Sequence, residues 1–168
     1  MKVVSLFAGC GGLDLGLLKS GHEIVLATDF DKDCKVTYDN NFDHPLLLKD
    51  VKELKGSELP KYDLLTGGFP CQPFSIAGYR KGFTDKGRGN LFFEIIRILR
   101  DRKPKVFLLE NVKNLKMHDK GNTLKLIYHE LENIGYHVTD AVLNTMEYGN
   151  LPQNRERIYI MGFLSKTQ

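Results

Sequence analysis

The sequence predicts an α/β protein, an open and mostly parallel sheet with helices on both faces. Three observations lead there. Apolar runs of strand length alternate with stretches of helical spacing, the pattern of successive strand–helix–strand units. Glycines crowd the end of the first run, in "FAGCGG" at 7–12, where a strand turns tightly into a helix. The 168 residues, 42% hydrophobic and 27% charged, suit one globular domain with a sizeable core.

The elements follow in order. "KVVSLFA" is the first strand, and Leu13, Leu17 and Leu18 carry the helical spacing that closes at Gly21. "EIVLAT" is the second strand and "DKDCKVTYDNNF" the second helix. A short third strand covers Leu46–Leu48 and leads to Asp50. "YDLLTGG" is the fourth strand, followed by a long loop to about Gly89. "NLFFEIIRILRD" is a strong helix with Asn90 as its N-cap. "KVFLLEN" is the fifth strand, Thr123 to Ile134 a helix ended by Gly135, and "YHVTDAVLN" and "RIYIMGF" the last two strands. No repeat, linker or low-complexity tract interrupts the series.

In such sheets the crossovers are right-handed and ligands bind beyond the carboxyl ends of the strands. Gly9–Gly12, Asp29, Asp50, Cys71 and Glu110 follow or end the first five strands in turn, so all are expected on one rim.

Several classes are disfavoured. No apolar run approaches the roughly 20 residues needed to cross a membrane, and the first residues are too short and glycine-rich for a secretory signal. A cytoplasmic protein is expected. Cys10, Cys34 and Cys71 are odd in number and lack metal-ligand spacing, so neither a disulfide framework nor a structural metal is expected. Cys10 and Cys34 read as packing residues. Residues 80–105 hold nine Lys or Arg against three Asp or Glu, a local balance of +6 in a chain of net +3. That segment suits a polyanion, or else a solvated helix face.

Two sites can be read from the rim. In the first, Gly9 and Gly11 begin a dinucleotide fingerprint, but Asp14 stands where its third glycine belongs. This disfavours a nicotinamide cofactor and favours a smaller adenosine cofactor without a pyrophosphate. Asp29 is placed to accept from ribose hydroxyls and Asp50 from the adenine amino group. The alternative is a tight turn flanked by surface acids.

In the second, "GGFPCQPFS" presents Cys71 between Pro70 and Pro73 on a stiffened backbone. Glu110, on the neighbouring strand, projects into the same pocket. A thiol, a carboxyl and an adenosine cofactor suit methylation of cytosine at C5. A thiolate adding to C6 makes C5 nucleophilic, and a carboxylic acid at N3 assists the addition. The C5 proton then leaves and the thiol is eliminated. Arg155 or Arg157 can favour the thiolate.

These residues resemble the catalytic domain of C5-cytosine DNA methyltransferases. "SLFAGCGGLDLGL" is similar to the family's S-adenosyl-L-methionine motif and "GGFPCQPFS" to its nucleophile loop. "LLENV" is similar to its glutamate motif, "QNRERIYI" to its arginine motif, and "GRGNLFFEI" also matches. The resemblance implies a Rossmann-like S-adenosylmethionine-dependent methyltransferase fold. It implies Cys71 as nucleophile, Glu110 at N3, and Arg155 and Arg157 orienting base, thiol or phosphate. The cofactor site it implies takes in Phe7, Ala8, Gly9, Gly11, Gly12, Leu13, Asp29, Phe30, Asp50, Val51, Gly68 and Pro70. Double-stranded DNA is the implied partner, with the target base flipped out of the stack. Gln72 and Ser75 would touch the flipped nucleotide, and Lys81, Lys86 and Arg88 would follow the phosphates.

The resemblance covers residues 1–168 as one catalytic domain and stops short of the family's target-recognition domain and closing segments. Two origins are expected to account for this: a split enzyme whose second polypeptide supplies them, or a truncated product. Two other activities stay open, methylation of cytosine in tRNA and simple binding of adenosine or DNA.

Overall fold

The computed structural model describes residues 1–70 and 91–164. Among these residues seven strands form one sheet in the order β3-β2-β1-β4-β5-β7-β6. Strands β1 (Lys2–Leu6), β2 (Glu23–Asp29), β3 (Leu46–Leu48), β4 (Leu64–Gly68) and β5 (Val106–Val112) pair in parallel. β7 (Glu156–Leu164) runs antiparallel to β5 and to β6 (Tyr136–Asn144).

The helices are α1 (Gly12–Lys19), α2 (Lys32–Asp39), α3 (Leu91–Arg102), α4 (Asn122–Asn133) and the single turn α5 (Thr145–Tyr148). Every strand expected from the apolar runs is present, with ends shifted by a residue or two. Short 3₁₀ turns at Val51–Glu53, Gly56–Glu58, Lys113–Lys116 and His118–Gly121 carry no apolar periodicity and were not expected. The expected N-cap, Asn90, lies outside the described residues, whereas Asp31 caps α2 by accepting from the Asp33 and Cys34 amides.

Alternation along the strands divides the core in two. On one face Val4, Leu6, Leu65, Phe107, Leu109, Ile158 and Ile160 pack against Ile95, Ile98 and Leu99 of α3 and Ile127 and Leu131 of α4. On the other, Val3, Ala27, Leu46 and Leu64 pack against Leu17 of α1 and Tyr38 of α2. Among the described residues that second layer covers the β3-β2-β1-β4 part of its face and reaches Val106 and Leu108 of β5. Over β5-β7-β6, Val112 is 37% and Phe163 50% exposed, and Leu108 and Met161 are half-buried. Among the described residues the two parts of the sheet thus differ, one sandwiched and one with exposed apolar side chains on one side.

Candidate active site

The turn after β1 is built on left-handed backbone: Phe7 at φ 53°, Gly9 at 55° and Gly11 at 88°. A Cβ at Gly11 would run into the Phe42 ring, so this turn admits only glycine there. Gly9 and Gly12 face open space instead, with nothing within 4 Å of where their Cβ atoms would be. The Gly9 amide donates to Asp29 Oδ2 at 2.9 Å and the Asp31 amide to Asp29 Oδ1 at 3.0 Å. The Ala8 amide donates to the Thr28 carbonyl at 3.1 Å. These bonds pin the glycine turn to the end of β2. Phe7, Ala8 and Leu13 are half-buried around it, and Phe30 is 67% exposed beside Asp29.

Beneath this turn lies a buried polar chain. Asp14 is fully buried and accepts from the Ser5 and Tyr38 hydroxyls. His44 Nε2 lies 2.7 Å from the Tyr38 oxygen. The phenol has one proton, given to the carboxylate, so His44 is the donor to the phenol oxygen. Tyr38 stacks on Phe42 with centroids 4.3 Å apart, and this pair backs Gly11. Burial pushes the Asp14 carboxyl above its usual range; the bonds from Ser5 and Tyr38 and the nearby His44 pull it partly back. Asp14 is therefore no surface acid. It replaces a third glycine because it ties α1 to β1 and α2.

Asp50 caps the turn after β3, its Oδ1 accepting from the Lys52 amide at 2.9 Å. Thr28 ties that turn to β2 by donating to the Lys49 carbonyl at 3.1 Å. The Val51 side chain points into the core, only 5% exposed, so Val51 can offer a ligand little beyond its backbone.

The second half of the rim centres on Glu110. It pairs with Gly68 across β4–β5 and with Tyr159 across β5–β7. Arg157, two residues from Tyr159 on the same face, holds Glu110 Oε1 through Nε at 3.0 Å. A Cβ at Gly68 would lie 3.2 Å from Glu110 Oε2, so the bare glycine leaves that oxygen its space. Burial, and next the charge of Glu110, push the Tyr159 phenol above its usual range. Glu110 does not end its strand as expected: pairing with β7 extends β5 to Val112. Arg155 is exposed and makes no side-chain bond among the described residues; its backbone is clamped between Asn144 and Thr145.

Asn111 was missed by sequence reasoning. It is 2% exposed, and its Nδ2 donates to the Phe69 carbonyl at 2.9 Å. Phe69, 2% exposed, sets its ring 5.8 Å from that of Phe92. The backbone is thus anchored two residues before Cys71, with exposed Pro70 between. The signal lay in "LLENV", where a polar residue follows the glutamate at an inward-facing position. Cys71, Gln72, Ser75, Lys81, Lys86 and Arg88 lie outside the described residues.

Two expectations need correction. Much of the basic charge past residue 90 serves the fold rather than a polyanion. Arg97 pairs with Glu94 and the Val51 carbonyl, Arg102 bonds the Leu59 and Pro60 carbonyls, and Lys105 pairs with Asp63. Residues 100–105 sit where α3 returns to the start of β5, at the opposite end of the sheet from the rim. Cys10 and Cys34 are not packing residues either. Cys10 is exposed, Cys34 half-buried, and their sulfurs are 4.0 Å apart.

The strand order, the antiparallel β7 and the glycine turn define the S-adenosylmethionine-dependent methyltransferase fold. The family model for C-5 cytosine-specific DNA methylase matches residues 1–168, and the chain belongs to that family. It is 52% identical over 164 residues to the type II methyltransferase M.Bsp6I of Bacillus sp. (strain RFL6), covering 97% of this chain and 52% of that protein. It is 50% identical over 165 residues to M.HaeII of Haemophilus aegyptius, covering 98% and 51%. The crystal structure of the S. pombe Dnmt2 methyltransferase matches with a TM-score of 0.78 at 25% identity, over 100% of this chain and 52% of that one. The chain spans about half the length of the curated relatives it matches.

Proposed function

We propose that residues 1–168 form the cofactor-binding and catalytic domain of an enzyme that methylates C5 of cytosine in double-stranded DNA. The observation that carries this reading is the Glu110–Arg157 pair beside bare Gly68, at the rim where β4 leads into Cys71.

The residues of the first half of the rim fit S-adenosyl-L-methionine. Gly9, Gly11 and Gly12 form a turn whose outer side is open. Asp29 is fixed by two amides and keeps lone pairs for ribose hydroxyls. Phe30 offers an exposed ring, and Asp50 a carboxylate with one oxygen unused by its cap. Phe7, Ala8, Leu13, Val51, Gly68 and Pro70 complete the assignment. The cofactor supplies an electrophilic methyl group on sulfur.

The chain's own groups do the rest. The Cys71 sulfur adds to C6 of the flipped base. Glu110 Oε2 hydrogen-bonds N3 while Arg157 holds Oε1 and fixes the carboxyl plane. Arg155 reaches the thiol, the base or a phosphate. Gln72 and Ser75 hold the nucleotide, and Lys81, Lys86 and Arg88 track the backbone. Loss of the C5 proton and elimination of the thiol complete the turnover. The setting we infer is the bacterial cytoplasm, at the nucleoid.

We infer that base-specific contacts come from the remaining half of the enzyme, in the same chain or in a second polypeptide. The exposure of Val112 and Phe163 among the described residues, on one face of β5 and β7, supports this as a place for another segment to pack.

The test is reconstitution. Residues 1–168 are mixed with a separately made fragment equivalent to the remaining half of M.Bsp6I, and labelled methyl transfer to cytosine is followed. Site-specific methylation of DNA is expected, with covalent trapping at Cys71 by DNA containing 5-fluorocytosine, whose fluorine cannot leave as a cation. Trapping at Cys10 or Cys34, transfer to tRNA in place of DNA, or sequence-specific activity from residues 1–168 alone would each overturn the reading.

A further inference from the structure

Cys10 sits between two glycines of the turn after β1, and Cys34 in the first turn of α2, 24 residues on. Their sulfurs are 4.0 Å apart. Cys10 is exposed and Cys34 half-buried, so small oxidants reach the pair from solvent. A disulfide needs about 2.05 Å between the sulfurs. The gap to be closed is about 2 Å, and one of the two elements is a loop. Among the described residues neither side chain belongs to the buried core, and neither makes any other side-chain hydrogen bond.

We propose that Cys10 and Cys34 are a redox-sensitive pair, which a peroxide converts to a disulfide that straps the glycine turn to α2 and weakens cofactor binding. The effect on the cofactor rests on the function proposed above; the formation of the bond does not.

The chemistry balances with hydrogen peroxide as the oxidant. The Cys10 sulfur attacks one peroxide oxygen, the O–O bond breaks, and water leaves a sulfenic acid behind. The Cys34 sulfur then attacks the Cys10 sulfur, the S–O bond breaks, and a second water leaves. Two thiols and one peroxide give one disulfide and two waters. The order follows from the surroundings. Partial burial, with the neighbouring Cys10, Asp31 and Asp29, pushes the Cys34 thiol up to about 11. Cys34 thus holds its proton and takes the resolving part, at a rate that rises with pH.

The strap bears on the cofactor turn directly. The Gly9 amide is bonded to Asp29, and Phe42 leaves no room for even a Cβ at Gly11. A turn held this closely cannot let Cys10 move toward α2 without shifting its amides.

The experiment uses the full enzyme in a Cys71→Ser background, so that oxidation of Cys71 is not counted. It is treated with hydrogen peroxide and digested without reduction, then analysed by mass spectrometry. A Cys10–Cys34 crosslinked peptide is expected, lighter by two hydrogens than its parts, lost with dithiothreitol and absent from Cys34→Ala. Calorimetry of the oxidised protein should show S-adenosyl-L-methionine bound at least tenfold more weakly, with recovery on reduction. Hydrogen exchange of amides 9–12 should be slower in the crosslinked form. Sulfinic acids in place of the crosslink, or a crosslinked protein with unchanged affinity, would overturn the proposal. If the cofactor binds neither form, the cofactor reading falls, while the crosslink and the exchange rates still decide whether the pair straps the turn.

Discussion

Arg157 Nε lies 3.0 Å from Glu110 Oε1, and the two side chains are about one-fifth exposed. The pair crosses from β7 to β5 on the diagonal, so it orients a carboxyl that the β5 backbone alone would leave free to rotate. In the complete enzyme, Glu110→Gln should slow methyl transfer by about 10²–10⁴-fold, with cofactor affinity nearly unchanged. Arg157→Gln should lower kcat in the same direction but less. Single-turnover rates at saturating cofactor check both, and an unchanged rate for Glu110→Gln would remove it from the chemistry.

Asn111 acts at one remove, through the Phe69 carbonyl. Asn111→Ala leaves that carbonyl without its donor and frees the backbone leading to Cys71. We expect a lower kcat with little change in KM for cofactor, and slower trapping by 5-fluorocytosine DNA. The buried acceptor left behind should cost about 1–3 kcal/mol of stability, read by urea denaturation. Loss of stability with normal trapping would make Asn111 structural only.

Asp29 joins the glycine turn to β2 by accepting from Gly9. Asp29→Ala removes this brace and the carboxylate proposed for the ribose. The expected outcome is S-adenosyl-L-methionine bound at least tenfold more weakly by calorimetry. Equal affinity for wild type and variant would move the cofactor site elsewhere.

The Asp14 network makes stability depend on pH in a set direction. Burial raises the Asp14 carboxyl, so the folded chain holds this proton more tightly than the unfolded chain. Its contribution is fully present below the ordinary carboxylate range and is lost as pH rises through the higher range set by the fold. Asp14→Asn should therefore flatten that part of the Tm-against-pH curve. Tyr38→Phe strands Asp14 Oδ2 and His44. A loss of about 1–3 kcal/mol is expected, or roughly 2–4 °C in Tm for each kcal/mol. A pH-independent Tm in the wild type would contradict the account.

Gly11→Ala tests the turn itself. A methyl there meets the Phe42 ring and sits on backbone at φ 88°. Destabilisation of about 1–3 kcal/mol is expected, against little effect for Gly12→Ala, which faces open space. Thermal unfolding of the two variants decides it.

The strands, their order along the chain and the shared rim of Gly9–Gly12, Asp29, Asp50 and Glu110 were legible because each follows from local pattern: apolar runs, glycine turns and acids at strand ends. What escaped was contact between distant segments. Asp14 meets Tyr38 across 24 residues, and no spacing rule announces that an acid in an amphipathic helix turns inward to a phenol. Arg97 and Arg102 read as a basic stripe because charge is visible in sequence, whereas the carbonyls that absorb it, on Val51, Leu59 and Pro60, are not. Asn111 was hidden for the same reason, since its partner is a backbone atom 42 residues away. The pairing of Glu110 with Arg157 was half legible: both residues were chosen, but with different tasks.

The position of β7 has a consequence for how the chain is made. Among the described residues this strand follows the other six in sequence yet lies inside the sheet, with β5 on one side and β6 on the other. Until residues 156–164 have been synthesised, β6 lacks the strand it pairs with, and Glu110 has no Arg157. The parallel strands can assemble as soon as β5 emerges, but the antiparallel end must wait for residues 156–164. A chain that ends before that point has a half-sheet with an open edge and lacks the Glu110–Arg157 pair. Closure of the antiparallel end of the sheet and the pairing of Glu110 with Arg157 are therefore a single event.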